Sequence, residues 1–121
     1  MQQLAPLKLA FIHVIEGQTG GARDLTDKGV KPFDYAALRQ IYGGPWLVNN
    51  GYSRALALAA VASGAADLVA FGKPFISNPD LVRRLREDAP LQPLVQATLY
   101  GGGAAGYTDY PALQAATAAL V

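Results

Sequence analysis

Two short turns carry the residues best suited to chemistry. Gly72-Lys73 follows the apolar run Leu68-Val69-Ala70-Phe71, and Asn49-Asn50-Gly51 follows Pro45-Trp46-Leu47-Val48. Glycine lets a ligand approach the backbone, and Lys73 supplies a positive charge. Backbone N–H groups from two adjacent turns between strand and helix can converge on one phosphate. The same residues serve equally well as ordinary turns in which glycine has only a geometric role. No G-x-G-x-x-G follows a strand and no Walker pattern is present, so neither nucleotide fingerprint decides between the two readings.

Other candidates are weaker. His13 is the single histidine, near the carboxyl end of an apolar run. It reads better as a hydrogen-bonded packing residue than as a ligand, and with no second histidine and no cysteine to join it, a metal site is not expected. Glu16 and Asp67 have the chemistry of general bases, but nothing pairs them in sequence. Asp67 reads as a structural cap or ion-pair partner. Arg23-Asp24 reads as a solvated ion pair. Tyr100, Tyr107 and Tyr110 flank a second glycine loop. Tyr100 suits the lining of a flat cofactor as well as it suits packing, whereas Tyr107 and Tyr110 read as packing residues with hydroxyls bonded to backbone.

The elements that must position these groups alternate along the chain. Leu7 to Ile15 reads as a first buried strand, followed by a loop of about sixteen residues from Glu16 to Lys31, a length often functional. Asp34 can cap a helix through Tyr42, with Leu38, Ile41 and Tyr42 on one face, and Gly43-Gly44 ends it. Pro45 to Val48 is a second strand. Ser53 caps an alanine-rich helix from Arg54 to Ser63. Leu68 to Phe71, apolar throughout, reads as a strand covered on both faces. Asn78 as N-cap and Pro79 at the first helical position predict a helix to Glu87. Pro90 and Pro93 mark an irregular stretch, and Pro111 to Val121 reads as a last helix. Short strands alternating with helices predict an α/β fold with a parallel sheet and right-handed crossovers. Such a sheet has two open edges, and a complete eight-stranded barrel takes about 250 residues, so the chain reads as part of something larger or as one member of an assembly.

Composition sets outer bounds. The chain has 121 residues, 51% of them apolar and 16% charged, which is globular rather than disordered. The net charge of +1 gives no reason to expect nucleic acid or an anionic membrane surface as partner. With no cysteine, disulfides and thiol nucleophiles are excluded. No apolar run is long enough for a membrane span, and Met1 to Pro6 lacks the pattern of a signal peptide. The cytoplasm is the default expectation.

Four segments together resemble the carboxyl-terminal part of the Old Yellow Enzyme family, FMN-dependent NAD(P)H ene-reductases. They are Leu9-Ala-Phe-Ile-His-Val-Ile-Glu-Gly17, Asn49-Asn-Gly-Tyr52, Asp67-Leu-Val-Ala-Phe-Gly-Lys-Pro-Phe-Ile-Ser-Asn-Pro-Asp-Leu81 and Tyr100-Gly-Gly-Gly-Ala-Ala-Gly-Tyr-Thr-Asp-Tyr-Pro111. They keep the family's order and spacing. The resemblance implies a partial (β/α)8 barrel, strands six to eight with their helices, with residues 1–121 as the carboxyl-terminal part of an FMN-binding domain. It implies that Asn49, Asn50, Gly51, Gly72 and Lys73 hold the FMN phosphate, that Tyr100 approaches the flavin, and that the loop from Glu16 walls the substrate cavity. It also implies NAD(P)H as reductant and an activated alkene as substrate. The family's catalytic residues belong to its amino-terminal half, so no catalytic residue is assigned here, and the isolated chain is expected to be impaired. A partner chain supplying the other half, or self-association, is implied in turn. Two departures stand out: Asn50 replaces a family glycine, and Lys73 replaces an arginine, keeping charge but losing bidentate geometry. The alternative is a non-catalytic half-barrel that binds a phosphate ligand or self-associates.

Overall fold

Trp46 to Asn49 forms the middle strand of a three-stranded parallel sheet, and the core gathers on one of its faces. The computed structural model describes residues 1–16, 19, 25, 28–31 and 33–113. The chain divides into two compact units, Met1–Phe71 and Gly72–Val121.

In the first unit the strands are β1 (Ile12–Ile15), β2 (Trp46–Asn49) and β3 (Leu68–Val69), in sheet order β1-β2-β3. Register pairs Ile12 with Trp46, Val14 with Val48, and Val48 with Val69, so these side chains share a face. That face packs with Tyr42, Ala66, Leu38 and Ala60. Trp46 and Val48 are essentially inaccessible. Helix α1 (Tyr35–Tyr42) starts where Asp34 Oδ1 accepts the Ala37 N–H at 2.8 Å, as its cap position predicts. It ends at Gly43, whose N–H reaches the Arg39 carbonyl. Tyr42 turns into the core and donates its hydroxyl to the Leu9 carbonyl at 3.1 Å, but Ile41 stays exposed. Helix α2 (Arg54–Ala62) is capped by Ser53 Oγ on the Leu56 N–H.

Three expectations need correction. The first strand is shorter than Leu7 to Ile15, because Ala5–Leu7 is a 3-10 turn and Lys8 takes a left-handed backbone that breaks extension. The third strand stops at Val69, with one further ladder bond from the Ala70 N–H to Val48. Nor do the described residues cover the sheet on both faces: the face shared by His13, Ile15, Leu47 and Leu68 is the more open one, Ile15 being 47% and Leu68 50% exposed. The helices of this unit pack on the other face.

The second unit starts with two helices where one was expected. Helix α3 (Lys73–Ser77) has a proline in its first turn, and α4 (Leu81–Glu87) starts after Asp80. Asn78 is not an N-cap; it is fully buried, donating to the Pro74 carbonyl at 2.8 Å and accepting the Gln92 N–H at 2.8 Å. A side chain engaged with a distant backbone cannot also cap the next helix. The remainder, through the 3-10 turn Gln96–Thr98, is held by side chains on backbone. Arg84, 4% exposed, donates to Asp80 at 2.7 Å and to the carbonyls of Pro90 and Pro111 at 2.6 and 3.1 Å. The last expected helix lies outside the described residues from position 114 onward.

Candidate functional site

At the carboxyl ends of β1 and β2 the chain builds a tight polar turn. Asn50 has φ +123 and Gly51 φ +83, both in territory that L side chains avoid. Asparagine is among the residues that tolerate such backbone best, which accounts for Asn50 where a glycine was expected. Asn50 is buried, and its amide donates to the Glu16 carbonyl. The Glu16 N–H returns a bond to the Asn49 carbonyl at 3.0 Å. The Thr19 hydroxyl donates to the Asn50 carbonyl, and the Tyr52 hydroxyl donates to the Glu16 carboxylate. Burial, reinforced by that carboxylate, pushes the Tyr52 phenol well above its ordinary value, so it stays a donor at neutral pH. Asn49 donates to the Ala70 carbonyl at 3.3 Å, while Gly51 itself is exposed. An exposed glycine with left-handed backbone beside a strand end lets an anion approach the main chain closely.

The other sequence candidates stand in the second unit. Gly72 immediately precedes α3, and a Cβ added there would meet nothing within 4 Å. Lys73 is exposed. Open space at Gly72 and an exposed cation suit an anionic group in their chemistry. Tyr100 is 90% exposed on a backbone at φ +60, and its N–H donates to the Tyr107 hydroxyl at 2.9 Å. Tyr110 accepts the Val95 N–H at 2.9 Å, so Tyr107 and Tyr110 have the backbone-bonded hydroxyls expected of them.

His13 is exposed on β1. Asp67 is structural, accepting the Trp46 N–H at 2.7 Å and pairing with Arg39 at 3.0 Å. Arg23-Asp24 lies outside the described residues. Among the described residues no group of three or more His, Cys, Asp or Glu is placed to hold a metal. A groove of about 970 Å³ is lined by Arg39, Trp46, Ser63 and Asp67 among others, but not by Asn49, Asn50 or Gly51. Most of its lining belongs to the segments entering β2 and β3.

Sequence reasoning missed Tyr52 and the side-chain role of Asn50. Tyr52 and Glu16 are 36 positions apart, and no local pattern links them. Arg84 was legible in principle, since Asp80 stands four residues before it on one helical face.

Comparison with known proteins agrees with the α/β fold. Residues 2–92 match the NADH:flavin oxidoreductase / NADH oxidase family. The chain is 41% identical over 118 residues to 12-oxophytodienoate reductase 7 of Oryza sativa subsp. japonica, covering 88% of this chain and 28% of that protein. It superposes on the old yellow enzyme homologue from Zymomonas mobilis with a TM-score of 0.82 at 41% identity, over 93% of this chain and 31% of that one. Morphinone reductase, solved in complex with tetrahydroNAD, aligns with a TM-score of 0.74 at 35% identity, over 93% and 29%. The chain thus spans less than a third of the length of each of these three relatives. An α/β piece with a three-stranded parallel sheet, matched along most of its length to these enzymes, belongs to the flavin-dependent oxidoreductase family that includes the old yellow enzymes.

Proposed function

We propose that this chain, residues 1–121, acts as strands six to eight of an FMN-binding barrel domain, supplying the cofactor's phosphate site and part of the substrate pocket. The positive-φ turn at Asn50-Gly51, with Asn50 buried and Gly51 exposed, is the observation that carries this reading. The Asn49-Asn50-Gly51 turn offers backbone N–H groups to the phosphate, and the Gly72-Lys73 turn offers a further N–H and a positive charge. Asn49 and Asn50 hold the turn, and Tyr100 presents an aromatic face toward the flavin. When bound, FMN supplies hydride transfer from NAD(P)H to a small activated alkene. The residues here bind and orient; the groups that activate the substrate come from the rest of the barrel, and the chain by itself is impaired in turnover. The cytoplasm is the proposed location; no helix among the described residues is long and apolar enough to cross a membrane.

The test is titration of FMN into the purified chain, read by quenching of flavin fluorescence. Saturable binding, weakened about five- to tenfold in Lys73→Met and retained in Lys73→Arg, is expected from loss of one charge-assisted contact. Binding indifferent to both substitutions would remove Lys73 from the site, and no binding at all would remove the site.

The open sheet face favours a second reading beside the first. Ile15 and Leu68 are half exposed on a sheet whose outer strands each pair on one side only. Such a surface suits a chain supplying the missing barrel strands, or a second copy, and allows a non-catalytic half-barrel that binds phosphate. Sedimentation equilibrium separates these: a concentration-dependent dimer supports self-association, and a monomer argues for a different partner.

A further inference from the structure

The bonds around Glu16 form a clasp. Its N–H, carbonyl and carboxylate are all engaged by Asn49, Asn50 and Tyr52, and the Thr19 hydroxyl closes the same loop onto the Asn50 carbonyl. Every one of these contacts falls on the segment Asn49 to Tyr52. That segment holds Asn50 at φ +123, a strained backbone for a residue with a side chain. The bonds from Glu16 and Thr19, with that of Asn49 to the Ala70 carbonyl, help to hold it.

We propose that Tyr52 and Glu16 are positioning residues: the Tyr52 hydroxyl on the Glu16 carboxylate locks the end of β1 against the Asn50-Gly51 turn, and so holds the turn's N–H groups ready for an anion. The anion end of this inference rests on the FMN phosphate reading; the locking of the turn does not. The lock works because the phenol remains protonated at neutral pH, being half-buried beside a carboxylate. The backbone then enters binding already ordered, and the ordering cost is met in folding.

The experiment compares wild type with Tyr52→Phe, Glu16→Ala and Glu16→Gln in the full chain. Amide hydrogen exchange is read first, without ligand, at residue 16, whose N–H is bonded to the Asn49 carbonyl. FMN and inorganic phosphate are then titrated separately. Tyr52→Phe and Glu16→Ala should speed exchange at this amide by about tenfold, the effect of losing one charge-assisted hydrogen bond, while exchange in α2 stays unchanged. Both should weaken FMN by a similar factor. Glu16→Gln keeps an acceptor for the phenol without the charge and should fall between wild type and Glu16→Ala in both readouts. Unchanged exchange in Tyr52→Phe overturns the lock. Faster exchange with undiminished FMN affinity overturns its role toward the ligand. If the wild-type chain binds neither FMN nor phosphate, the cofactor-site reading fails with the anion half of this proposal, and exchange still decides the lock.

Discussion

The side-chain amide of Asn49 donates to the main-chain carbonyl of Ala70 at 3.3 Å, joining the carboxyl ends of β2 and β3 by a bond outside the sheet ladder. The ladder between these strands is short, with Leu47 on Leu68 and Val48 on Val69. A single side-chain bond therefore matters more here than in a long sheet.

Replacing Asn49 separates that bond from simple polarity. Asn49→Ala should cost about 1 kcal/mol, the net worth of a typical intramolecular hydrogen bond. Asn49→Asp should cost more, about 2 kcal/mol, because an ionised carboxylate only accepts and would face the Ala70 carbonyl. Urea unfolding followed by the fluorescence of Trp46, the chain's single tryptophan, measures both. An aspartate variant as stable as the alanine one would show that the bond contributes little.

Asn50 sets backbone strain against a side-chain bond. Glycine at this position relieves left-handed strain of about 1–2 kcal/mol and loses a hydrogen bond worth about 1 kcal/mol. Asn50→Gly should therefore lie within about 1 kcal/mol of wild type. Asn50→Ala keeps the strain and loses the bond, and should cost about 2 kcal/mol or more. The order, glycine well above alanine, is the testable content. Equal losses in the same urea assay would mean that the backbone at φ +123 is not strained.

Asp67 joins α1 to the entry of β2. It accepts the Trp46 N–H at 2.7 Å and pairs with Arg39, whose Nη1 is buried without a partner among the described residues. Asp67→Ala should cost about 1–2 kcal/mol, mostly through the orphaned Trp46 N–H, since a half-exposed ion pair is worth little by itself. Asp67→Asn keeps the acceptor and should recover most of the loss. Thermal unfolding of the two variants checks this, and equal destabilisation would shift the weight to the ion pair.

What could be read in the sequence was local. The Asp34 and Ser53 caps, the parallel alternation and the placing of Asn49 to Gly51 at a strand end all follow from patterns within a few residues. Asn78 failed because the same short amide that caps helices also satisfies buried backbone, and only the chain at Gln92 decides which it does. The first strand was overextended because only Lys8 and His13 interrupt the apolar run from Leu7 to Ile15, and a lysine does not announce the left-handed backbone that Lys8 adopts. The clasp on Glu16 was invisible because its partners are joined by folding alone. Sequence similarity placed the chain in its family, and physical reading of the turn says how such a turn is held.

Asp80 makes the second unit sensitive to acid. Its carboxylate accepts the Leu113 N–H at 2.7 Å and the Arg84 guanidinium at 2.7 Å, and these bonds, the Leu113 one foremost, hold its pKa below the usual value. A carboxyl group with a depressed folded pKa contributes stability that is present above its unfolded value, about 4, and is lost as pH falls through the lower folded value. Protonation removes the ion pair from Arg84, which is 4% exposed and keeps only the carbonyls of Pro90 and Pro111. The tyrosines Tyr100, Tyr107 and Tyr110 lie in the same unit, so near-ultraviolet circular dichroism reports on it. On acidification from about pH 5 toward about pH 2, the wild-type signal should fall as this carboxylate titrates. Asp80→Asn should be less stable at neutral pH, and the part of the acid limb that Asp80 supplies should be missing. Identical acid midpoints in wild type and Asp80→Asn would assign the acid loss to other carboxylates and leave the Asp80–Arg84 pair without a role in it.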